Sequence, residues 1–304
     1  MAVTVPRQAG LSMIASLPMA AAQTLVGAPA RALKDTISSA IPAADLDARD
    51  TDYIRETLPG LWLLASRYFR ADVDGLHHLP SEGPVLMVGN HSGGVVAPDL
   101  FVLVLAFSTY FGVERPFYQL AHNLVVAGPT GMLVRGYGTV AANSRNAEAA
   151  LKADAAVLVY PGGDHEVFRP SWKEATVDFG GRKGYIRTAL KLGAPIAPVV
   201  SIGGQETALF LTRGERLARL TRADKLFRLK TLPFMVGLPF GIQPALFGHL
   251  PLPAKITVRV LPPIDLRERY GKDPDVAEID ADIRAQMEDV LISLAEDRRL
   301  PVIG

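Results

Sequence analysis

The chain contains no cysteine, which excludes a disulfide framework, a thiolate nucleophile and any cysteine-ligated metal site. It has almost no net charge: 32 Lys and Arg against 31 Asp and Glu leave +1. No global field therefore holds it to nucleic acid, and attraction to anions must come from local clusters. Internal repeats and low-complexity linkers are missing. With 49% of 304 residues hydrophobic and 21% charged, the chain is neither disordered nor a coiled coil, and it is long enough to bury a sizeable core. Nor is there a run of about 20 apolar residues suited to a spanning helix. Residues 100–113 are apolar but short. The uncharged stretch 231–253 is cut by Pro233, Pro239, Pro244, Pro251 and Pro253, and reads as a greasy loop or broken helix.

Near the N-terminus an apolar stretch from Leu11 to Ala22 superficially resembles a secretory signal, but Pro18 interrupts it and no Lys/Arg cluster precedes it. The pattern running on to Leu33 predicts instead an N-terminal amphipathic helical segment within residues 1–50, facing a membrane or packing on the rest. Secretion is not expected.

From residue 51 to 304, short β-rich runs alternate with helical stretches, which predicts a single α/β domain with a mostly parallel central sheet flanked by helices. Candidate strands lie at 85–89, 117–121, 155–160, 196–202 and 255–260. Several are apolar on both faces, as interior strands under helices should be. Helical patterns cover 52–70, 99–111, 144–153, 184–192, 206–230 and 276–298.

In such a sheet, chemistry sits beyond the carboxyl ends of strands. After 85–89 comes Asn90-His91-Ser92-Gly93-Gly94-Val95-Val96-Ala97-Pro98-Asp99, and after 155–160 comes Pro161-Gly162-Gly163-Asp164-His165-Glu166-Val167-Phe168-Arg169. A histidine on a glycine-bearing loop at a strand end suits proton abstraction near neutrality. Asp99 could fix its tautomer, or serve only as an ordinary helix N-cap. Gly162 and Gly163 could form an anion-binding nest or a tight turn. Gly180-Gly181-Arg182-Lys183-Gly184 precedes a helix where anions are favoured, without Walker spacing. His165 and Glu166 do not complete a zinc-protease motif, because Arg169 stands where its second histidine would be.

In this order, Asn-His-Ser-Gly-Gly…Pro-Asp, Tyr-Pro-Gly-Gly-x-x-Glu and Gly-Ala-Pro-Ile-Ala-Pro-Val resemble the glycerolipid acyltransferase superfamily over roughly residues 80–260, on the side of its diacylglycerol acyltransferase-like branch. The resemblance implies an O-acyltransferase without an acyl-enzyme. His91 is the general base supported by Asp99, and acyl-CoA or acyl carrier protein is the co-substrate; no further cofactor and no metal is needed. A lipid alcohol is the acceptor. Among the substrate-binding candidates, Gly162 and Gly163 line the loop, Glu166 orients the acceptor or braces the loop, and Arg182 and Arg135 contact the ligand. Two features depart from the common pattern. Seven residues separate His91 from Asp99 where four are usual, and Pro161-Gly162-Gly163 replaces Glu-Gly-Thr-Arg, so that motif's phosphate-binding arginine is not carried over.

Between Arg213 and Lys230 seven cations face two carboxylates. With Leu217, Leu220, Leu226 and Phe227 this composition suits peripheral attachment to an anionic membrane surface, on its cytoplasmic face, or a solvated helix over the core. Nucleic acid is not an expected partner, since aromatic residues are not interleaved with the charges. A lipid esterase using Ser92 is the enzymatic alternative, though no nucleophile-elbow sequence is present. A non-catalytic lipid-binding protein on the same fold is the other.

Overall fold

The computed structural model describes residues 41–127, 131–173, 175–222, 231–245, 249–298 and 300. The helix expected near the N-terminus, up to residue 40, lies outside these residues, as does the 223–230 part of the basic stretch. In chain order the first elements are α1 (Thr51–Tyr68), β1 (Asp72–Asp74), β2 (Val85–Gly89), α2 (Pro98–Phe111), β3 (Phe117–Ala121), α3 (Asn123–Ala127), α4 (Gly131–Gly136), β4 (Thr139–Ala141) and α5 (Ser144–Lys152). They continue with β5 (Ala156–Val159), α6 (Gly163–Val167), α7 (Gly184–Leu192), β6 (Ile196–Ile202), β7 (Leu209–Thr212) and α8 (Glu215–Leu220). The last are β8 (Phe234–Gly237), β9 (Gly241–Pro244), β10 (Thr257–Val260), α9 (Leu266–Tyr270) and α10 (Val276–Glu296).

Among the described residues the main sheet has seven strands in the order β1-β10-β6-β2-β5-β3-β4. Strands β6, β2, β5, β3 and β4 are parallel, whereas β10 is antiparallel to β6 and β1 runs with β10. The all-apolar β2 explains the layering. Leu86 and Val88 face a core built with Ile186 and Ala189 of α7 and Ile283 and Met287 of α10. Val85 and Met87 face the opposite core with Ala65 of α1 and Val102, Leu103 and Phe107 of α2. Period-two alternation with both faces apolar makes β2 an interior strand. The stretch Gly94–Phe111 is long and apolar enough to cross a membrane, which corrects the reading of the apolar run at 100–113 as too short. Its α2 helix nevertheless spends Val102 to Phe107 in the core.

The α/β unit takes in residues 41–50 as well, which moves its start ahead of 51. The Ala44 amide donates to Asn146 Oδ1 at 2.8 Å, and the Tyr118 hydroxyl donates to the Leu46 carbonyl at 3.0 Å.

The expected helix over 206–230 is corrected. Leu209–Thr212 forms β7, and only Glu215–Leu220 is helical within the described part. Gly214 divides them with φ +66°, and a Cβ there would lie 1.7 Å from the Leu232 carbonyl oxygen. The expected greasy loop after 231 is the hairpin β8–β9, which pairs with β7 in a separate three-stranded antiparallel sheet. Prolines sit at its turn and ends, where ladder hydrogen bonds are not required of them.

Candidate active site

Within the main sheet Val88 is paired with Val159. The loops leaving β2 and β5 therefore emerge side by side at the carboxyl end of the sheet, the position where α/β folds bind ligands. Asn90, fully buried, anchors the first loop: its amide donates to the Ser201 carbonyl and its Oδ1 accepts from the Ser201 N–H, both at 2.8 Å. That side chain extends the β2–β6 ladder by one step and holds the next residue in place.

The next residue is His91. Its Nδ1 lies 3.0 Å from Oδ2 of Asp99, a carboxylate 1% exposed in the first turn of α2. The long His–Asp interval is absorbed by a tight 3-10 turn at Gly94–Val96, entered through Gly93 at φ +86° and left through Ala97 at φ +45°. A Cβ on Gly93 would meet Pro98 Cδ at 2.4 Å, so this fold-back needs glycine. The same Asp99 oxygen accepts from the Ser92 N–H at 2.8 Å and from its hydroxyl at 3.3 Å. An ionised Asp99 holds the proton on Nδ1 and leaves Nε2 with a free lone pair. The His91 side chain is 15% exposed, so the ring is not sealed in the core.

Tyr160 covers one face of this imidazole, with ring centroids 4.2 Å apart and planes 14° from parallel. It fits there because residue 89 is glycine: a Cβ at Gly89 would stand 2.5 Å from Tyr160 Cε1. Burial, with Asp99 and Glu166 nearby, pushes the Tyr160 hydroxyl well above the usual phenol range and keeps it a neutral donor.

Glu166 links the two loops. Fully buried, it accepts from the His91 N–H at 2.9 Å through Oε2, and from the Asp178 N–H at 3.2 Å through Oε1. Arg169 Nη1 also donates to Oε1 at 3.2 Å. Burial raises the carboxyl to about 7 against the opposing pull of Arg169 and the two backbone N–H groups. Of its two expected roles, the contacts are those of a brace. Gly162 leaves room for it, since a Cβ there would lie 2.5 Å from Glu166 Oε2. Gly163 adopts φ +47° at the start of α6, with Arg182 Nη1 2.9 Å from where its Cβ would be.

Arg182 Nη1 donates to the carbonyls of Pro161 and Gly162 at 3.2 and 2.7 Å, and Nη2 pairs with Asp164 Oδ1 at 2.6 Å. Its donors are thus turned onto the Pro-Gly-Gly loop. Arg135 lies on α4, exposed, with Nε 3.3 Å from the Gly131 carbonyl. α4 leads into the edge strand β4, three strands removed from β2, and no described contact joins Arg135 to His91.

Three contributors escaped sequence reading. Tyr160 ends a candidate strand and opens the Tyr-Pro-Gly-Gly motif, and Gln205 falls between a candidate strand and a candidate helix, yet Gln205 Oε1 accepts from the Gly93 N–H at 3.4 Å while its amide donates to the Arg169 carbonyl. His249, 8% exposed, lies edge-on to Phe210, with Cε1 3.7 Å from a Cβ built on Gly94, and neither ring nitrogen has a hydrogen-bond partner among the described residues. Only the glycine before it marked the local chain, and glycine signals a turn, not a neighbour.

Residues 49–300 match the diacylglycerol acyltransferase family. An uncharacterised protein of Mycobacterium leprae is 30% identical over 246 residues, 79% of this chain and 64% of that protein, so the match spans a little under two thirds of the relative's length. The chloroplastic phytyl ester synthase 2 of Arabidopsis thaliana is 34% identical over 138 residues, 43% of this chain and 19% of that protein. The 1-acyl-sn-glycerophosphate (LPA) acyltransferase PlsC of Thermotoga maritima superposes with a TM-score of 0.51 at 18% identity, covering 83% of this chain and 85% of that one. The likeness to PlsC is one of fold.

Proposed function

Since the chain belongs to the diacylglycerol acyltransferase family, we propose that it moves a fatty acyl group from an acyl thioester to a hydroxyl of a lipid. The observation carrying this reading is the His91–Asp99 pair at 3.0 Å, with the other ring nitrogen left for substrate. Nε2 takes the proton of the acceptor hydroxyl as its oxygen attacks the thioester carbonyl. The tetrahedral adduct collapses with cleavage of the C–S bond, and the imidazolium returns the proton to the departing thiolate. Asp99 stabilises that imidazolium, and Tyr160 keeps the ring from rotating out of line. The donor is acyl-CoA or acyl carrier protein. A neutral lipid alcohol is the acceptor, in keeping with the family's description and with the phytyl ester synthase relative.

Transfer is favoured over hydrolysis by the position of Ser92. Its hydroxyl is buried on the Asp99 side of the ring, 3.3 Å from the carboxylate, and a Cβ on Gly204 would lie 2.2 Å from it, which leaves no room for a substrate carbonyl. The enzyme works peripherally, at the cytoplasmic face of a membrane where its acceptor is dissolved.

The test is incubation of the purified chain with labelled acyl-CoA or acyl carrier protein, with and without lipid alcohols. An acceptor-dependent ester is expected. Free fatty acid as the sole product, unchanged by acceptor, would replace this reading with the esterase; no turnover, with lipid binding intact, would leave a binding protein.

A further inference from the structure

The small sheet β7-β8-β9 has a covered inner face and an uncovered, apolar outer one. Phe210, Met235 and Gln243 are in register and buried. On this inner face the Phe210 ring closes on Gly94 of the His91 loop, 2.9 Å from where a Cβ would be. Leu209, Val236 and Ile242 are in register one residue along, so they share the outer face. That face continues into the hairpin turn. Phe240 is 72% and Ile242 73% exposed, and Leu238, also exposed, is bridged to exposed Leu250. A contiguous patch of large apolar side chains in water marks an interaction site.

The opposite end of the same sheet is cationic. Beside Thr212 and Phe234 opens a cavity of about 530 Å³ whose lining includes Lys173, Arg213 and Arg216. Among the described residues Lys173 and Arg216 make no ion pair, and Arg213 reaches Asp178 and Glu215 only at 3.7 and 4.0 Å. Arg219 and Arg222 follow, both exposed. From Gly237 to Phe234 the sheet spans three residue steps, roughly 10 Å. That separation matches the depth between acyl chains and lipid phosphates for an element that inserts about 5–10 Å past the headgroup boundary.

We propose that the β8–β9 hairpin inserts its tip, Leu238, Phe240 and Ile242, into the acyl layer of an anionic membrane, while the cavity of Lys173, Arg213 and Arg216 seats a lipid phosphate. The apolar residues choose a bilayer over water, and the arginines behind them choose anionic headgroups over neutral ones. Because the inner face of this sheet rests on Gly94, lipid meeting the outer face lies one sheet thickness from the His91 loop. The value of that arrangement for acceptor delivery rests on the acyltransferase reading; membrane insertion itself does not.

The experiment uses the full chain and vesicles of phosphatidylcholine with or without phosphatidylglycerol, with no acyl donor present, so binding is read separately from acyl transfer. Co-sedimentation is expected to rise with phosphatidylglycerol and to fall with salt. Phe240→Asp with Ile242→Asp is expected to weaken it about tenfold or more, and Arg216→Gln about fivefold, with flattened salt dependence. Unchanged melting curves show that these variants fold. As an independent readout, Phe240→Trp fluorescence is expected to shift blue on vesicles and to be quenched by brominated acyl chains. A tryptophan that stays in water, or aspartate variants that bind as the parent does, would overturn the proposal. So would aspartate variants whose only change is loss of a self-associated species on gel filtration, since the face would then belong to a second copy.

Discussion

Nδ1 of His91 and Oδ2 of Asp99 stand 3.0 Å apart with seven residues between them in the chain, brought together by a turn that Gly93 and Ala97 enter and leave at positive φ. The pair is set by backbone geometry, so changing either side chain should alter chemistry more than fold.

His91→Ala should lower the acyl-transfer rate about 10²-fold or more, the usual consequence of removing a positioned base. Asp99→Asn keeps an acceptor oxygen in place but no longer enforces the tautomer, and should cost a comparable factor of about 10²–10⁴ in kcat. Steady-state kinetics with circular dichroism controls separate these losses from unfolding.

Gly89 and Tyr160 form a second coupled pair. Gly89→Ala drives a methyl group to within 2.5 Å of the Tyr160 ring, displacing it from His91 at a cost of about 1–3 kcal/mol in stability. A drop in kcat of about tenfold is expected, with Tyr160→Leu behaving alike. Tyr160→Phe should stay near the parent rate, because stacking does not use the hydroxyl. Chemical denaturation and kcat measured on all three decide it.

Glu166 predicts a pH dependence whose direction is unusual for a carboxylate. Burial lifts it from 4.5 to about 7, so between these values the folded chain holds a proton that the unfolded chain has released. Its contribution is full below pH 4.5 and lost as pH rises through about 7. The loss is on the order of 3 kcal/mol. Glu166→Gln, neutral throughout, should remove that decline. Urea unfolding of both proteins across this interval should show the gap between them closing or reversing as pH rises.

His249 runs the other way. Burial depresses its pKa below 6.5, so the unfolded chain takes up a proton that the folded ring refuses. Stability from this group is present above 6.5 and lost as pH falls below it. His249→Leu should flatten the acid-side fall in melting temperature. At pH 7 it should leave stability unchanged or raised, because two buried nitrogens without partners disappear. Melting curves between about pH 5 and 8 check both statements.

Much of this molecule is legible in its linear order. The runs 85–89, 117–121 and 196–202 are strands at the expected bounds, because apolar residues on successive positions leave no solvent face and only an interior strand accommodates that. The same holds for the loops after β2 and β5, where glycine and histidine interrupt apolar runs. The basic stretch reads as one long helix because arginines at spacing three suit a helix as well as they suit what is there. What made Leu209–Thr212 a strand is a partner more than 20 residues away, β8. The pairing of β10 against β6, the stacking of Tyr160 on His91, and Glu166 closing on the His91 amide were likewise decided by tertiary structure. So were the hydrogen bonds from Arg182 to the Pro161 and Gly162 carbonyls. Local sequence determines which residues prefer burial and where the chain can turn, since those are short-range free energies. Which buried groups meet depends on register between distant segments, and only packing of the whole chain chooses that.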